Sequence, residues 1–257
     1  MLSQWTSDKN HFLLGHTPFD KQVILIHFEG QENLSTLFSY HLELISLSNS
    51  LAFETILGKS VTVEVDYYGH KRYFNGIINQ FKQGPTYLHG AKNKKFSRTR
   101  YYATLVPKLW LLTQTENCAI FQEKSALDII KEILSKHAIQ FDAQVSTYGL
   151  KPLDFCVQFN ESDFAFISRL MEKYGIFYYF EHKQGQHMLI LSDNSLHTKP
   201  CPHAEETAFY ADADHMEPLL MGIKGYSLGQ SIVPSSAKTT DYNFETPDAT
   251  MLAQTKG

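Results

Sequence analysis

Apolar and polar residues alternate with period two through most of the first hundred positions, the pattern of strands with one face in a core. Val23 to Phe28 reads as a strand closed by a turn at Gly30. Phe38, Tyr40, Leu42 and Leu44 alternate with Ser39, His41 and Glu43, which predicts a half-buried strand. Val61, Val63 and Val65 alternate with Thr62, Glu64 and Asp66 in the same way. Tyr68-Gly69-His70 then predicts a hairpin turn, with Arg72 to Ile78 as the returning strand. Gln83 to Arg98 is polar and rich in lysine and reads as a loop, and Tyr101 to Val106 resumes strand character.

The periodicity changes near residue 115. Ser125-Ala-Leu-Asp128 opens a helix with a capping-box-like start, and Leu127, Ile130, Ile133 and Leu134 supply its apolar face. Phe155, Val157 and Phe159 alternate as a strand, with the aromatics expected on the core side. In ESDFAFISRLMEKYGIFYYFEH (Glu161 to His182), Phe164, Phe166, Ile167, Leu170, Met171 and Tyr174 share one helical face. Ser168, Arg169, Glu172 and Lys173 share the other, with Arg169 and Glu172 spaced as a surface pair. Asn160 is the expected N-cap, Glu161 and Asp163 favour the positive end of the helix dipole, and Gly175 marks the stop before a strand over Ile176 to Phe180. This joint is read as packing rather than chemistry. His187 to Ser192 is a further strand, residues 197 to 206 a Pro/His-rich loop, and Gly222 to Ser227 and Asp241 to Phe244 short strands.

Composition narrows the function classes. The 257 residues carry 23 basic and 27 acidic side chains, a net −4, so nothing recommends nucleic acid or anionic lipid as a partner. The basic run Lys92, Lys94, Lys95, Arg98 and Arg100 reads as a solvated loop. The cysteines Cys118, Cys156 and Cys201 are three and far apart, which fits a reducing cytosol rather than a disulfide framework. No Sec-type signal peptide opens the chain, and no apolar run is long enough to span a bilayer.

Candidate chemistry is sparse. His197, Cys201 and His203, with His215 beyond, are the closest approach to a metal cluster, but no H-E-x-x-H or C-x-x-C accompanies them. No G-x-S-x-G elbow, P-loop or strand-linked G-x-G-x-x-G is present. Glu161 and Asp163 are explained by helix capping. The expectation is no catalytic, cofactor-binding or metal-binding residue, and no enzyme. The competing reading is a hydrolase or metal-dependent effector enzyme using the His-rich loop. A glycan- or surface-binding module is the third, and would need exposed aromatics gathered on one face.

The Glu161–His182 stretch with FCVQF (Phe155 to Phe159) resembles the VgrG family, the spike-hub proteins of bacterial type VI secretion systems, related to the tail hub of contractile phages. GQENLSTLFSYHLEL (Gly30 to Leu44), LGKSVTVEV (Leu57 to Val65), YFNGIINQF (Tyr73 to Phe81), Arg98 to Leu134 and DYNFETP (Asp241 to Pro247) resemble the family's segments in the same order. The resemblance implies an α+β, mainly β fold: a phage tail-hub-like β-barrel with an inserted α+β subdomain and the start of a second barrel. It places the first barrel at 1–114 and 187–227, the insert at 115–186 and the start of the second barrel at 228–257. It further implies a trimer whose barrels form a pseudo-six-fold ring on the Hcp tube, meeting baseplate components and effectors. Synthesis in the cytoplasm and export by the type VI apparatus follow. Relatives of full length continue into further domains and a needle, so this chain is expected to be either a piece of a longer protein or a short form.

Overall fold

The computed structural model describes residues 12–15, 17–19, 23–67, 70–89, 96–199, 223 and 226–256. They fall into two units, Met1–Cys201 and Pro202–Gly257. In the first unit β1 (Phe12–Leu14), β2 (Val23–Gln31), β3 (Ser39–Ser46), β4 (Ser60–Tyr67), β5 (His70–His89) and β6 (Phe96–Val106) make one curled, half-barrel sheet in the order β1-β4-β5-β6-β3-β2. Register shifts at Leu25/His27, Ile78/Gln80 and Gln83/Thr86 supply local bends. Gly84 and Pro85 occupy the last of these, where a missing side chain and a missing N–H do least harm.

The predicted alternation holds in β3, where Tyr40, Leu42 and Leu44 are buried, and Phe38 is buried just before it. In β4 the polar residues are not solvated: Thr62 and Glu64 are buried as well as Val61 and Val63. Two further expectations are corrected. The chain does not turn at Gly30, because β2 continues to Gln31 and pairs Gly30 with Tyr40. A Cβ at Gly30 would lie 2.5 Å from the Tyr40 ring, so the glycine admits the aromatic across the ladder. Nor do the described residues of Gln83–Arg98 form a loop, residues 90–95 lying outside them. β5 and β6 continue as a paired hairpin as far as His89↔Phe96, because cross-strand pairs such as Thr86↔Thr99 extend the ladder. Tyr68 and Gly69 lie outside the described residues; the strands flanking them pair Tyr67 with His70.

After a 3-10 turn (Lys108–Thr113) the chain forms β7 (Glu116–Lys124), α1 (Ala126–Lys136), β8 (Phe141–Gln144), β9 (Leu153–Ser162), α2 (Asp163–Lys173), β10 (Phe177–Lys183) and β11 (Gln186–Ser192). β7 and β9 pair as an antiparallel ribbon. β10, β11 and β8 form a second sheet in that order, parallel between β11 and β8. Both helices bury one face between these elements, Leu127, Ile130, Ile133 and Leu134 from α1 and Phe166, Ile167, Leu170 and Met171 from α2. Ser125 caps α1 by accepting from the Asp128 N–H. α2 is capped by Ser162, not by Asn160, which stands at φ +49 two residues earlier in the strand. Glu161 therefore precedes the helix, and Arg169 bonds to it rather than to Glu172.

Both helices end alike. Gly175 (φ +67) lets Ile176 N–H reach the Met171 carbonyl, as expected of a glycine stop. Ala138 (φ +50) does the same after α1, with Ile139 N–H on the Leu134 carbonyl. Among the described residues of the second unit, β12 (Ser236–Thr239) pairs with β13 (Ala253–Lys256). Asp241–Phe244 is not a strand but part of their connection, and Ile223 makes an isolated bridge.

The two helix ends make a matched pair of stability predictions. Ala138→Gly should raise stability by about 1 kcal/mol, and Gly175→Ala should lower it by about as much, since both ends stand in the left-handed region. Urea titrations of the two variants check this. Equal midpoints would show that the positive φ values are not the controlling strain.

Candidate functional site

Three clusters of polar or exposed side chains could carry function. The first joins the two cores. Tight pairing across the Gly185 turn sets His182 of β10 opposite His187 of β11. Both rings reach the half-barrel at Asn75 of β5. The Asn75 N–H donates to His182 Nδ1 (3.0 Å), and His187 Nδ1 donates to Asn75 Oδ1 (2.8 Å). Lys108 N–H donates to His187 Nε2 (2.9 Å), so that ring is a neutral Nδ1–H tautomer with both nitrogens used. Asn75 Nδ2 donates to Ser60 Oγ, the Val61 carbonyl and Thr62 Oγ1, and Thr62 Oγ1 also accepts from Gly185 N–H. This explains why Thr62 is buried. Tyr40 Oη donates to Glu32 and lies 3.1 Å from His182 Nε2.

Burial holds both imidazoles at about 4, below the ordinary 6.5; Arg72 adds to the effect at His182, and His182 and Lys108 add to it at His187. The carboxylate of Glu32 lies 3.5 Å from His182 but is itself partly solvated. Protonating His182 on Nδ1 would expel the Asn75 N–H, so the neutral ring is the state that the network accommodates. Burial and the bond to Glu32 likewise raise the Tyr40 hydroxyl.

The second cluster surrounds Asp163 at the start of α2. Its buried carboxylate accepts from Asn117 Nδ2 (2.9 Å), Gln158 Nε2 (2.8 Å) and His137 Nε2 (2.7 Å). Burial pushes the carboxyl up, but bonds from Gln158, Asn117 and His137 outweigh it and hold it below the usual carboxylate range. The group ties β7, β9, α1 and α2 together and has no proton to exchange near neutrality. Glu161 and Asp163 therefore do not act as a pair, since one faces Arg169 and the other this cluster.

The third is the ribbon's outer face. Phe155 (67% exposed), Phe159 (76%) and Ile120 (69%) project into solvent beside Val157, contrary to the expectation that the two aromatics line the core. The inner face won the packing: Phe121 stacks on Phe166, and Cys156 packs against the helical core. Alternation locates a strand's apolar face but cannot say which face meets the protein when both carry apolar residues.

Of the residues singled out in the His-rich loop, Cys201, His203 and His215 lie outside the described residues, as does the side chain of His197. Lys92, Lys94 and Lys95 are outside them too. Arg98 and Arg100 belong to β6, where Arg100 reaches Glu43 and the Tyr87 ring. No group of three metal-ligating side chains occurs among the described residues, and none of their helices is long and apolar enough to cross a membrane. The joint histidines were missed in the sequence. Their signal was present in EHKQGQH, two histidines placed symmetrically about a glycine turn in otherwise apolar strands.

The half-barrel is thus joined to the α+β elements that follow it at a polar lock of buried histidines. The chain belongs to the phage tail baseplate hub family (GPD), which it matches over residues 31–257. It is similar to the type VI secretion system spike protein VgrG1a of Pseudomonas aeruginosa, 34% identical over 240 residues that cover 90% of this chain and 35% of that protein. VgrG1c of the same organism is 33% identical over 239 residues, covering 90% and 31%. The chain thus spans about a third of the length of these spike proteins. Among solved structures it aligns with the E. coli c3393 protein, described as a type VI secretion component with structural similarity to the T4 tail proteins gp27 and gp5. The TM-score is 0.61 at 20% identity, over 91% of this chain and 56% of that one. At that identity the likeness shows a common fold, here the α+β, mainly β fold of a hub.

The lock makes stability acid-sensitive. Well above pH 6.5 the histidines are neutral in both folded and unfolded chains. Between 6.5 and about 4 the unfolded chain binds protons that the folded chain refuses, so stability falls as pH falls. The full effect is on the order of 3 kcal/mol for one ring. Denaturant melts between pH 7 and 5 should show this slope, and His182→Gln should flatten it. A wild-type profile without slope in that range would refute the neutral-histidine assignment.

Proposed function

We propose that the chain is the hub portion of a type VI secretion spike, a structural component rather than an enzyme. The match to the baseplate hub family over residues 31–257, together with the spike relatives, is the observation that carries this reading. In it, residues 1–114 and 187–227 serve as the first hub barrel, 115–186 as the insert and 228–257 as the beginning of the second barrel. Three such hubs assemble as a homotrimer on the Hcp tube, meet baseplate components, and help deliver effectors into target cells. The protein is made in the cytoplasm and leaves through the type VI apparatus.

Its polar chemistry supports a structural role. The histidines and carboxylates best placed for acid–base work spend their donors and acceptors on holding elements together. A rigid module suits a part that must transmit force without rearranging, and buried networks with every member satisfied rigidify a fold.

A chimera tests the reading. The chain replaces the matching third of VgrG1a in Pseudomonas aeruginosa lacking its own copy, and release of Hcp into the medium is measured. The expected result is secretion restored to a sizeable fraction of the native level. Absent secretion from a chimera that accumulates as a folded, soluble protein would contradict a hub role.

A further inference from the structure

The β7–β9 ribbon has two edges, and they are treated differently. Along β9, Arg169 lies across the edge, donating from Nη2 to the Val157 carbonyl (2.7 Å) while held by Glu161. Along β7, among the described residues, no hydrogen bond reaches a backbone group from outside the ladder with β9. Val157 faces Ile120 across the ribbon. Facing residues of an antiparallel pair turn their backbone groups either both inward or both outward. With Val157 turned out to Arg169, Ile120 turns its own N–H and C=O to the β7 edge.

That edge is bordered by a groove of about 450 Å³ whose far wall is α1. Ala119 and Phe121 from the strand and Ile133 from the helix give it apolar surface, and Lys124, Glu132 and Lys136 give it charge. Glu132 is held by Lys124, and Asp163 by its three donors, so Lys136 is the groove's unmatched charge among the described residues. A strand edge beside a helix, with alternate side chains received on two sides, is the geometry by which proteins bind extended peptides as an added strand.

We infer that the groove between β7 and α1 is a strand-addition site for an extended segment of a partner protein, apolar at alternate residues and carrying a carboxylate toward Lys136. One row of its side chains enters the groove against Ile133. The other row continues the exposed face of Ile120, Phe155, Val157 and Phe159. That face amounts to roughly 500 Å², a large patch for a free surface but less than the roughly 800 Å² per partner of a stable protein–protein interface. A second copy packed on this face alone is therefore the poorer occupant. The inference does not depend on the hub reading.

To test it, the purified full chain is panned against a display library of random peptides about ten residues long, which samples the reach of β7. Enriched peptides should share apolar–polar alternation and an acidic residue. A synthetic copy of one should slow amide exchange in β7 selectively and lose binding when N-methylated at alternate residues. It should bind at least about tenfold more weakly to both Ile120→Pro and Lys136→Glu. Lys136→Glu changes only an exposed side chain, so it remains informative if the proline variant unfolds. No enrichment, protection elsewhere than β7, or undiminished binding to Lys136→Glu would overturn the site. So would a concentration-dependent dimer that Phe159→Ser abolishes, since it would assign the face to a second copy.

Discussion

The described part of the first unit depends on one buried side chain and its backbone. Asn75 sits in the half-barrel, where its side-chain Nδ2 bonds within the sheet, while its own N–H and its side-chain carbonyl go to the two histidines of the β10–β11 hairpin. Two apolar cores, one under the half-barrel and one between the helices and the second sheet, would otherwise meet mainly through Phe180, which packs against both. Hydrophobic contact is strong but non-directional. The amide–imidazole bonds supply the direction, since any slip of the hairpin leaves buried donors without acceptors, at about 1–3 kcal/mol each. Neutral histidines are the means: an imidazole can accept on one nitrogen and donate on the other, and burial keeps it in that form.

The same economy recurs at Asp163, where a single carboxylate gathers donors from β7, β9 and α1 at the first turn of α2. Both networks consume groups that could otherwise look catalytic. In the hub role proposed for this chain, such groups serve as fixed points. The surfaces left over are then the places to look for function, above all the β7 edge and the outer face of its ribbon.

Much of this was legible in the sequence, and the failures have physical reasons. Strands β3, β4 and β6 and both helices follow from periodicity, and Gly175 announced its own turn. The family segments named the class of fold before any coordinates. The 83–98 segment misled because polarity was read as solvent exposure, whereas a two-stranded arm can keep pairing with both faces wet. Phe155 and Phe159 misled because a two-stranded ribbon has two faces, and only the helices beneath decide which is inner. Asn160 lost the cap to Ser162 because the strand runs on to the helix with no linker, so the hydroxyl that meets the Ala165 N–H is nearer the first turn. The joint could not be read locally at all: Asn75 and His187 are over a hundred residues apart.

The most direct measurement is native-state hydrogen exchange on the amides of β4, β5, β10 and β11, in the wild-type chain and in Asn75→Ala. If the asparagine couples the cores, these strands open with one common free energy in the wild type. In the variant the β10–β11 hairpin then opens separately and at lower cost than the half-barrel. Strands that already open independently in the wild type, or that stay coupled without the asparagine side chain, would contradict the claim that this joint holds the hub together.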